Sequence, residues 1–135
     1  MSIENTDTNS TTYNWNNKSI LIADDELFNL RLIEKSLQPT KIKVFIAQNG
    51  EEAIQIFKDN PSINIILMDI RMPLMDGVEA IKIIRKENRN VPIIAFTAYA
   101  LTNNEVNALN YGCNDYISKP SQPQFILQKI NEFIK

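Results

Sequence analysis

Ser19-Ile20-Leu21-Ile22-Ala23-Asp24-Asp25 and Ile63-Asn64-Ile65-Ile66-Leu67-Met68-Asp69 decide how this chain folds. Each is a short aliphatic run that ends abruptly in carboxylates, as expected of a strand buried on both faces. Strands covered on both sides belong to parallel sheets, whose members are joined by crossover helices. Outward from these two runs, strand and helix patterns alternate with short joints. A helix is expected over Glu26 to Leu37, with Leu30, Ile33 and Leu37 on one face, followed by a second strand from Lys41 to Ala47. Lys41 and Lys43 alternate there with Ile42 and Val44, which puts one face of the strand's start nearer solvent. Asn49-Gly50 breaks into a helix from Glu51 to Lys58, and Asn60-Pro61 ends it. After Asp69, Met72-Pro73 turns the chain into a helix from Gly77 to Glu87 with Val78, Ile81 and Ile84 as its stripe. Val91 to Thr97 reads as the fourth strand. Thr102 can cap a fourth helix running to about Tyr111 through Asn104, Glu105 and Leu109, with Gly112 supplying a positive φ at its end. Asp115 to Ser118 is a short fifth strand, and Pro123 to Ile134 a last helix that turns Ile126, Ile130 and Phe133 inward.

Five strand and helix pairs in succession predict an α/β doubly wound (βα)5 fold, with right-handed crossovers and helices on both faces of a five-stranded parallel sheet. In such sheets ligands sit outside the carboxyl ends of the strands. Asp24 and Asp25 end the first strand, Asp69 the third and Thr97 the fourth, and Lys119 follows the fifth, so five polar groups converge on one edge. Three carboxylates brought together raise one another's pKa unless a cation lies between them. Hard oxygen ligands with few neutral partners suit Mg²⁺, with Mn²⁺ as the alternative. Each residue also has a plainer reading: Asp25 before Glu26 as a helix cap, Thr97 as an ordinary strand residue, Lys119 as a surface charge. Their joint occurrence at the ends of four strands favours a site.

Composition narrows the chemistry. At 135 residues and 44% hydrophobic, the chain can bury about two-thirds of its unfolded surface in one core and holds no second domain. Fourteen basic against 16 acidic residues, net −2, leave no electrostatic footprint for a nucleic-acid backbone, and Lys82, Arg85, Lys86 and Arg89 read as a solvated helix face. The single cysteine, Cys113, excludes an internal disulfide and a multi-cysteine zinc site, and reads as packing. With no signal-peptide pattern and no apolar run near the ~20 residues a membrane helix needs, the expected location is cytoplasmic, without membrane contact by this domain. Histidine is absent, which removes Ser/His/Asp and Cys/His machinery. Residues 1–17 are rich in Asn, Ser and Thr and read as a flexible polar tail or interdomain linker ahead of a domain at 18–135. Tyr13 and Trp15 are its exceptions, and the sequence leaves open whether they pack or stay exposed. Asn9-Ser10-Thr11 and Asn17-Lys18-Ser19 match a glycosylation pattern that, without a secretory signal, is read as chance.

Leu-Ile-Ala-Asp-Asp-Glu (21–26), Met-Asp-Ile-Arg-Met-Pro-Leu-Met-Asp-Gly (68–77), Phe-Thr-Ala (96–98) and Asp-Tyr-Ile-Ser-Lys-Pro (115–120) together resemble the receiver domain of two-component response regulators, from about Lys18 to Ile134. The resemblance implies a flavodoxin-like fold with strand order 2-1-3-4-5. It implies that Asp69 is the phosphoacceptor, that Asp24 and Asp25 hold Mg²⁺ with Asp69 and the Arg71 backbone carbonyl, and that Thr97 is a switch hydroxyl. Tyr116 would be the aromatic that follows that hydroxyl, Lys119 the phosphate partner, and Lys119-Pro120 a cis bond. Phosphoryl would come from a histidine kinase or a histidine phosphotransfer domain, and the fourth helix, fifth strand and last helix would form the face that changes, with a homodimer through that face as one outcome. Arg71 and Tyr99, each two residues past a site residue, are expected to lean over the phosphate and tune its lifetime.

Rival classes fit less well. A haloacid-dehalogenase-type phosphohydrolase resembles Asp-x-Asp, but Arg71 stands where its second Asp belongs. A flavin-binding module needs a Gly/Ser/Thr-rich loop after the first strand, and Asp24-Asp25-Glu26 would repel the flavin phosphate. A pseudo-receiver, working as an interaction module without phosphorylation, would lack part of the acidic set. The polar tail through Tyr13-Asn14-Trp15, Asn29, and Thr97-Ala98-Tyr99-Ala100 look like receivers at the carboxyl end of hybrid sensor histidine kinases. The chain ends soon after Ile134, which leaves a stand-alone receiver or the receiver portion of a longer chain.

Overall fold

In a computed structural model the chain is described over residues 13–98, 101–110 and 112–134, without the side chains of Ala108 and Leu109. Five strands, β1 (Ser19–Ala23), β2 (Lys43–Ala47), β3 (Ile65–Asp69), β4 (Ile93–Thr97) and β5 (Asp115–Ser118), alternate with five helices. The helices are α1 (Leu27–Leu37), α2 (Gly50–Asp59), α3 (Gly77–Glu87), α4 (Asn103–Asn110) and α5 (Pro123–Phe133), with one 3-10 turn at Gln38–Thr40. The strands form a single sheet in the order β2-β1-β3-β4-β5, all pairs parallel. The chain therefore winds outward in both directions from β1 and β3, the two runs that end in aspartate. That is the order the family resemblance implied.

Alternation along the strands divides the core in two. Leu21, Met68, Ile93 and Ala95 face Ala53, Phe57, Ile81 and Ile84 of α2 and α3. Ile22, Leu67, Ile94 and Ile117 face Leu30, Ile33, Ile126 and Ile130 of α1 and α5. β3 and β4 are buried at every position, whereas β2 runs from an exposed Lys43 to a buried Ala47 because it lies at the sheet's edge.

The structure departs from several of these expectations. The second strand starts at Lys43 rather than Lys41, because the 3-10 turn ends at Lys41 in a left-handed conformation with φ 67°. Among the described residues the positive φ values fall on Asn17, Lys41 and Leu74, and no glycine is among them. The positive φ expected at Gly112 turns on its bond to Tyr111, which lies outside the described residues. Two glycines are instead required by close approach. A Cβ on Gly77 would lie 2.1 Å from the Asp69 carbonyl oxygen, and one on Gly50 2.5 Å from the Met75 carbonyl oxygen.

Arg85 departs from the solvated basic face read for it. Its guanidinium donates to the carbonyls of Gly112 (2.8 Å) and Asn88 (3.2 Å) and to Asn114 Oδ1 (2.9 Å), tying α3 to the segment before β5. Lys82, Lys86 and Arg89 are exposed. Cys113 packs beside the core, and burial pushes its thiol up to about 12. Trp15 is only 5% exposed, its ring stacks on Tyr13 with centroids 5.0 Å apart, and its backbone N–H donates to the Thr40 carbonyl at 2.7 Å. Both rings pack beneath the α1 and α5 layer, at the end of the sheet opposite the strands' carboxyl ends.

Candidate functional site

Parallel strands aligned at one end place their last residues side by side. Ala23 pairs with Met68 and Asp69 with Phe96, so the residues that follow or end β1, β3 and β4 reach one edge together. Asp24 is fully buried there, Asp69 is 4% exposed and Thr97 1% exposed, while Asp25 faces solvent. Carboxylate oxygens of Asp24, Asp25 and Asp69 lie within 4.8 Å of one another. Such a set of hard anionic oxygens, two of them buried and one open to solvent, fits a divalent cation such as Mg²⁺.

Lys119 enters this pocket from the end of β5. Its ammonium donates to Asp24 Oδ2 at 2.8 Å and to Asp69 Oδ2 at 3.1 Å, and stands 3.7 Å from Glu26 Oε1. The following Lys119-Pro120 bond is cis. Burial alone pulls the Lys119 ammonium down, but the hydrogen bond and charge of Asp24 and then Asp69 outweigh it and hold it above its ordinary value. The Asp69 carboxyl is pushed up to about 6, first by burial, against the Arg71 N–H and the Lys119 charge; Asp24 adds a smaller upward push. Loss of hydration thus governs Asp69 more than the like-charge repulsion on which the sequence argument turned.

The other expected residues fall into place unevenly. Asp25 is not the helix cap of its plainer reading: the Glu26 N–H donates to Asp24 Oδ1 at 2.9 Å, and α1 begins without a side-chain cap. The Arg71 N–H donates to Asp69 Oδ1 at 3.1 Å, which brings the Arg71 backbone to the pocket. Its side chain makes an ion pair with Glu105 at 2.9 Å, so the residue expected to lean over a phosphate is drawn toward α4. Tyr116 is 39% exposed and lines a groove of about 360 Å³ with Leu101, Val106 and Asn110. Tyr99 lies outside the described residues.

Sequence reading missed four contributors. Gly77 lies against the carbonyl of Asp69 itself, and its N–H donates to the Ile70 carbonyl at 3.0 Å. The Asp76-Gly77 pair opening a helix could have signalled this. Glu105 was seen as a residue of α4 but not as the partner of Arg71, 34 positions away. Phe28 and Leu74, 77% and 81% exposed, stand on the segments that follow the two aspartate-bearing strands.

Comparison with known proteins agrees with this geometry. Residues 20–131 match the family described as response regulator receiver domain, and the chain belongs to it. It is a receiver domain of two-component signalling. Its sequence is 34% identical over 112 residues to the polar-differentiation response regulator DivK of Brucella anthropi, covering 81% of this chain and 90% of that protein. It is 34% identical over 122 residues to hybrid signal transduction histidine kinase I of Dictyostelium discoideum, covering 84% of this chain but 7% of that protein. Among solved structures, the receiver domain of the sensor histidine kinase PA1611 from Pseudomonas aeruginosa, with magnesium coordinated in its active-site cleft, superposes with TM-score 0.78 at 34% identity over 87% of this chain and 97% of that one. The CheX-CheY-BeF3-Mg complex from Borrelia burgdorferi gives TM-score 0.79 at 28% identity, over 87% and 90%. The chain spans less than half the length of several of the curated relatives it matches, 7% of the Dictyostelium kinase and 24% of the Escherichia coli regulatory protein AtoC.

Proposed function

We propose that Asp69 accepts a phosphoryl group from a phosphohistidine on a histidine kinase or phosphotransfer protein, and that Asp24, Asp25 and the Arg71 carbonyl complete a Mg²⁺ site beside it. The observation that carries this reading is the convergence of three carboxylates and the Lys119 ammonium on one buried edge. An Asp69 oxygen attacks phosphorus in line; the new P–O bond forms as the P–N bond to imidazole breaks, and the electron pair leaves with the imidazole. When bound, the divalent cation supplies charge neutralisation between the carboxylates and the phosphoryl oxygens. Lys119 already spans Asp24 and Asp69, so its ammonium can pass from the Asp69 carboxylate to a phosphoryl oxygen with little movement. The buried Thr97 hydroxyl is the donor for another oxygen, and its shift opens room for Tyr116 to turn inward from the α4 and β5 groove.

The donor protein would meet an apolar rim. Phe28 and Leu32 line a groove of about 360 Å³ whose wall includes Lys119 and Pro120, directly beside the acidic pocket. Among the described residues no helix is long and apolar enough to cross a membrane, and a cytoplasmic setting, in a hybrid kinase or alone, fits this chemistry. With Mg²⁺ and beryllofluoride, a phosphoryl mimic, the wild-type protein should gain thermal stability while Asp69→Asn should not. Equal responses of the two would remove the assignment of Asp69.

A further inference from the structure

A carboxylate of α4 fastens the acceptor loop to that helix. Glu105 Oε1 accepts from Arg71 Nη2 at 2.9 Å and from the Thr102 N–H at 2.9 Å, while the Glu105 N–H donates to Thr102 Oγ1 at 3.1 Å. The last two bonds are a capping box that starts α4. The first leaves the helix altogether and holds a side chain rooted two residues past Asp69. Among the described side chains of α4 none is buried, and Val106 is 40% exposed.

We propose, building on the reading of Asp69 as phosphoacceptor, that Glu105 is a positioning residue that sets the lifetime of the acyl phosphate by competing with it for the Arg71 guanidinium. The phosphoryl group adds about −1.5 to −2 charge near pH 7 and three acceptor oxygens, which a guanidinium binds as a fork. Lys119, Thr97 and the divalent cation serve the inner side of the phosphoryl group, so Arg71 can approach only from the solvent side. Water must come from that same side. In hydrolysis, water attacks phosphorus opposite the Asp69 oxygen, the bond from that oxygen to phosphorus breaks, and its electron pair returns to the carboxylate. Inorganic phosphate departs and the water's proton goes to solvent. A guanidinium lying across the phosphoryl oxygens obstructs that approach, and one held by Glu105 leaves it open.

Glu105→Gln separates the two jobs of this side chain, because the glutamine oxygen still caps Thr102 while the charge that holds Arg71 is gone. The test follows decay of the phosphorylated protein, loaded with a small phosphodonor and Mg²⁺ and then freed of donor, in wild type, Glu105→Gln, Arg71→Ala and the double variant. Glu105→Gln should lengthen the half-life by about threefold, the scale on which an exposed ion pair moves an equilibrium. In the Arg71→Ala background the same change should have no effect. Equal half-lives for wild type and Glu105→Gln, or an equal lengthening with and without Arg71, would overturn the proposal while leaving Asp69 as acceptor. Failure of the wild type to take up phosphoryl at all would overturn both. Matching thermal midpoints for wild type and Glu105→Gln exclude a change in folding as the cause.

Discussion

Asp69 is the residue where structure and chemistry conflict most usefully. The proposed transfer to Asp69 needs its carboxyl as an anion, yet burial pushes it from 3.8 up to about 6. Because the folded-state value is raised, the favourable contribution is complete below the unfolded value, near pH 4, and is lost as pH rises through about 6. Without divalent cations the protein should therefore lose stability over that interval, at most about 3 kcal/mol at about 1.4 kcal/mol per unit. Asp69→Asn should remove this step in urea titrations carried out in EDTA at several pH values, and should be the more stable protein at pH 7. An unchanged pH profile in the variant would assign the step to another group. Arg71 offers a second residue-scale prediction. Arg71→Ala should retain phosphorylation and change the rate at which the acyl phosphate decays, because the backbone N–H that meets Asp69 survives the substitution while the guanidinium does not.

Among elements, the loop between β3 and α3 is fixed by contacts that leave little freedom. Asp76 Oδ1 caps α3 by accepting the Glu79 N–H at 3.0 Å, and Gly77 packs against the Asp69 carbonyl oxygen. Gly77→Ala puts a methyl into backbone rather than into a flexible side chain. It should cost about 2 kcal/mol or more and blunt phosphorylation as well, measured by denaturant unfolding beside phosphoryl uptake. Asp76→Ala, which removes only a cap, should cost about 1 kcal/mol and spare the acceptor. Strand and helix identities were legible because aliphatic runs and helical stripes are local signals: Leu30, Ile33 and Leu37 are buried as their spacing required. The misplaced start of β2 arose where Lys41 and Ile42 continue the strand pattern but a 3-10 turn claims the first of them. Arg85 and Glu105 were misread or missed for one reason: each has a partner 27 to 34 positions away, and no local pattern announces such a pairing.

The whole molecule places its chemistry and its chain entry at opposite ends of the sheet. Convergence of Asp24, Asp69, Thr97 and Lys119 was legible from topology, since parallel strands must bring their carboxyl ends to one edge. The role of Trp15 was not, because two aromatics in a polar segment carry no periodicity that says whether they pack. Its burial seats the Trp15 and Tyr13 rings against the core, while Asn14, Asn16 and Asn17 between and after them are exposed. Trp15→Ala should cost about 3 kcal/mol in chemical denaturation, the scale of deleting a large buried side chain, while leaving phosphoryl uptake by the folded fraction intact. A loss of uptake in proportion greater than the loss of folded protein would tie the two ends together.

The most direct test is intact-protein mass spectrometry with peptide mapping after incubation with a small-molecule phosphodonor and Mg²⁺. A single added phosphoryl group on the peptide containing Asp69, absent in Asp69→Asn and absent in EDTA, is the expected result. A phosphoryl group that maps elsewhere, or that forms equally well in the variant, would contradict the assignment of position 69 as the switch.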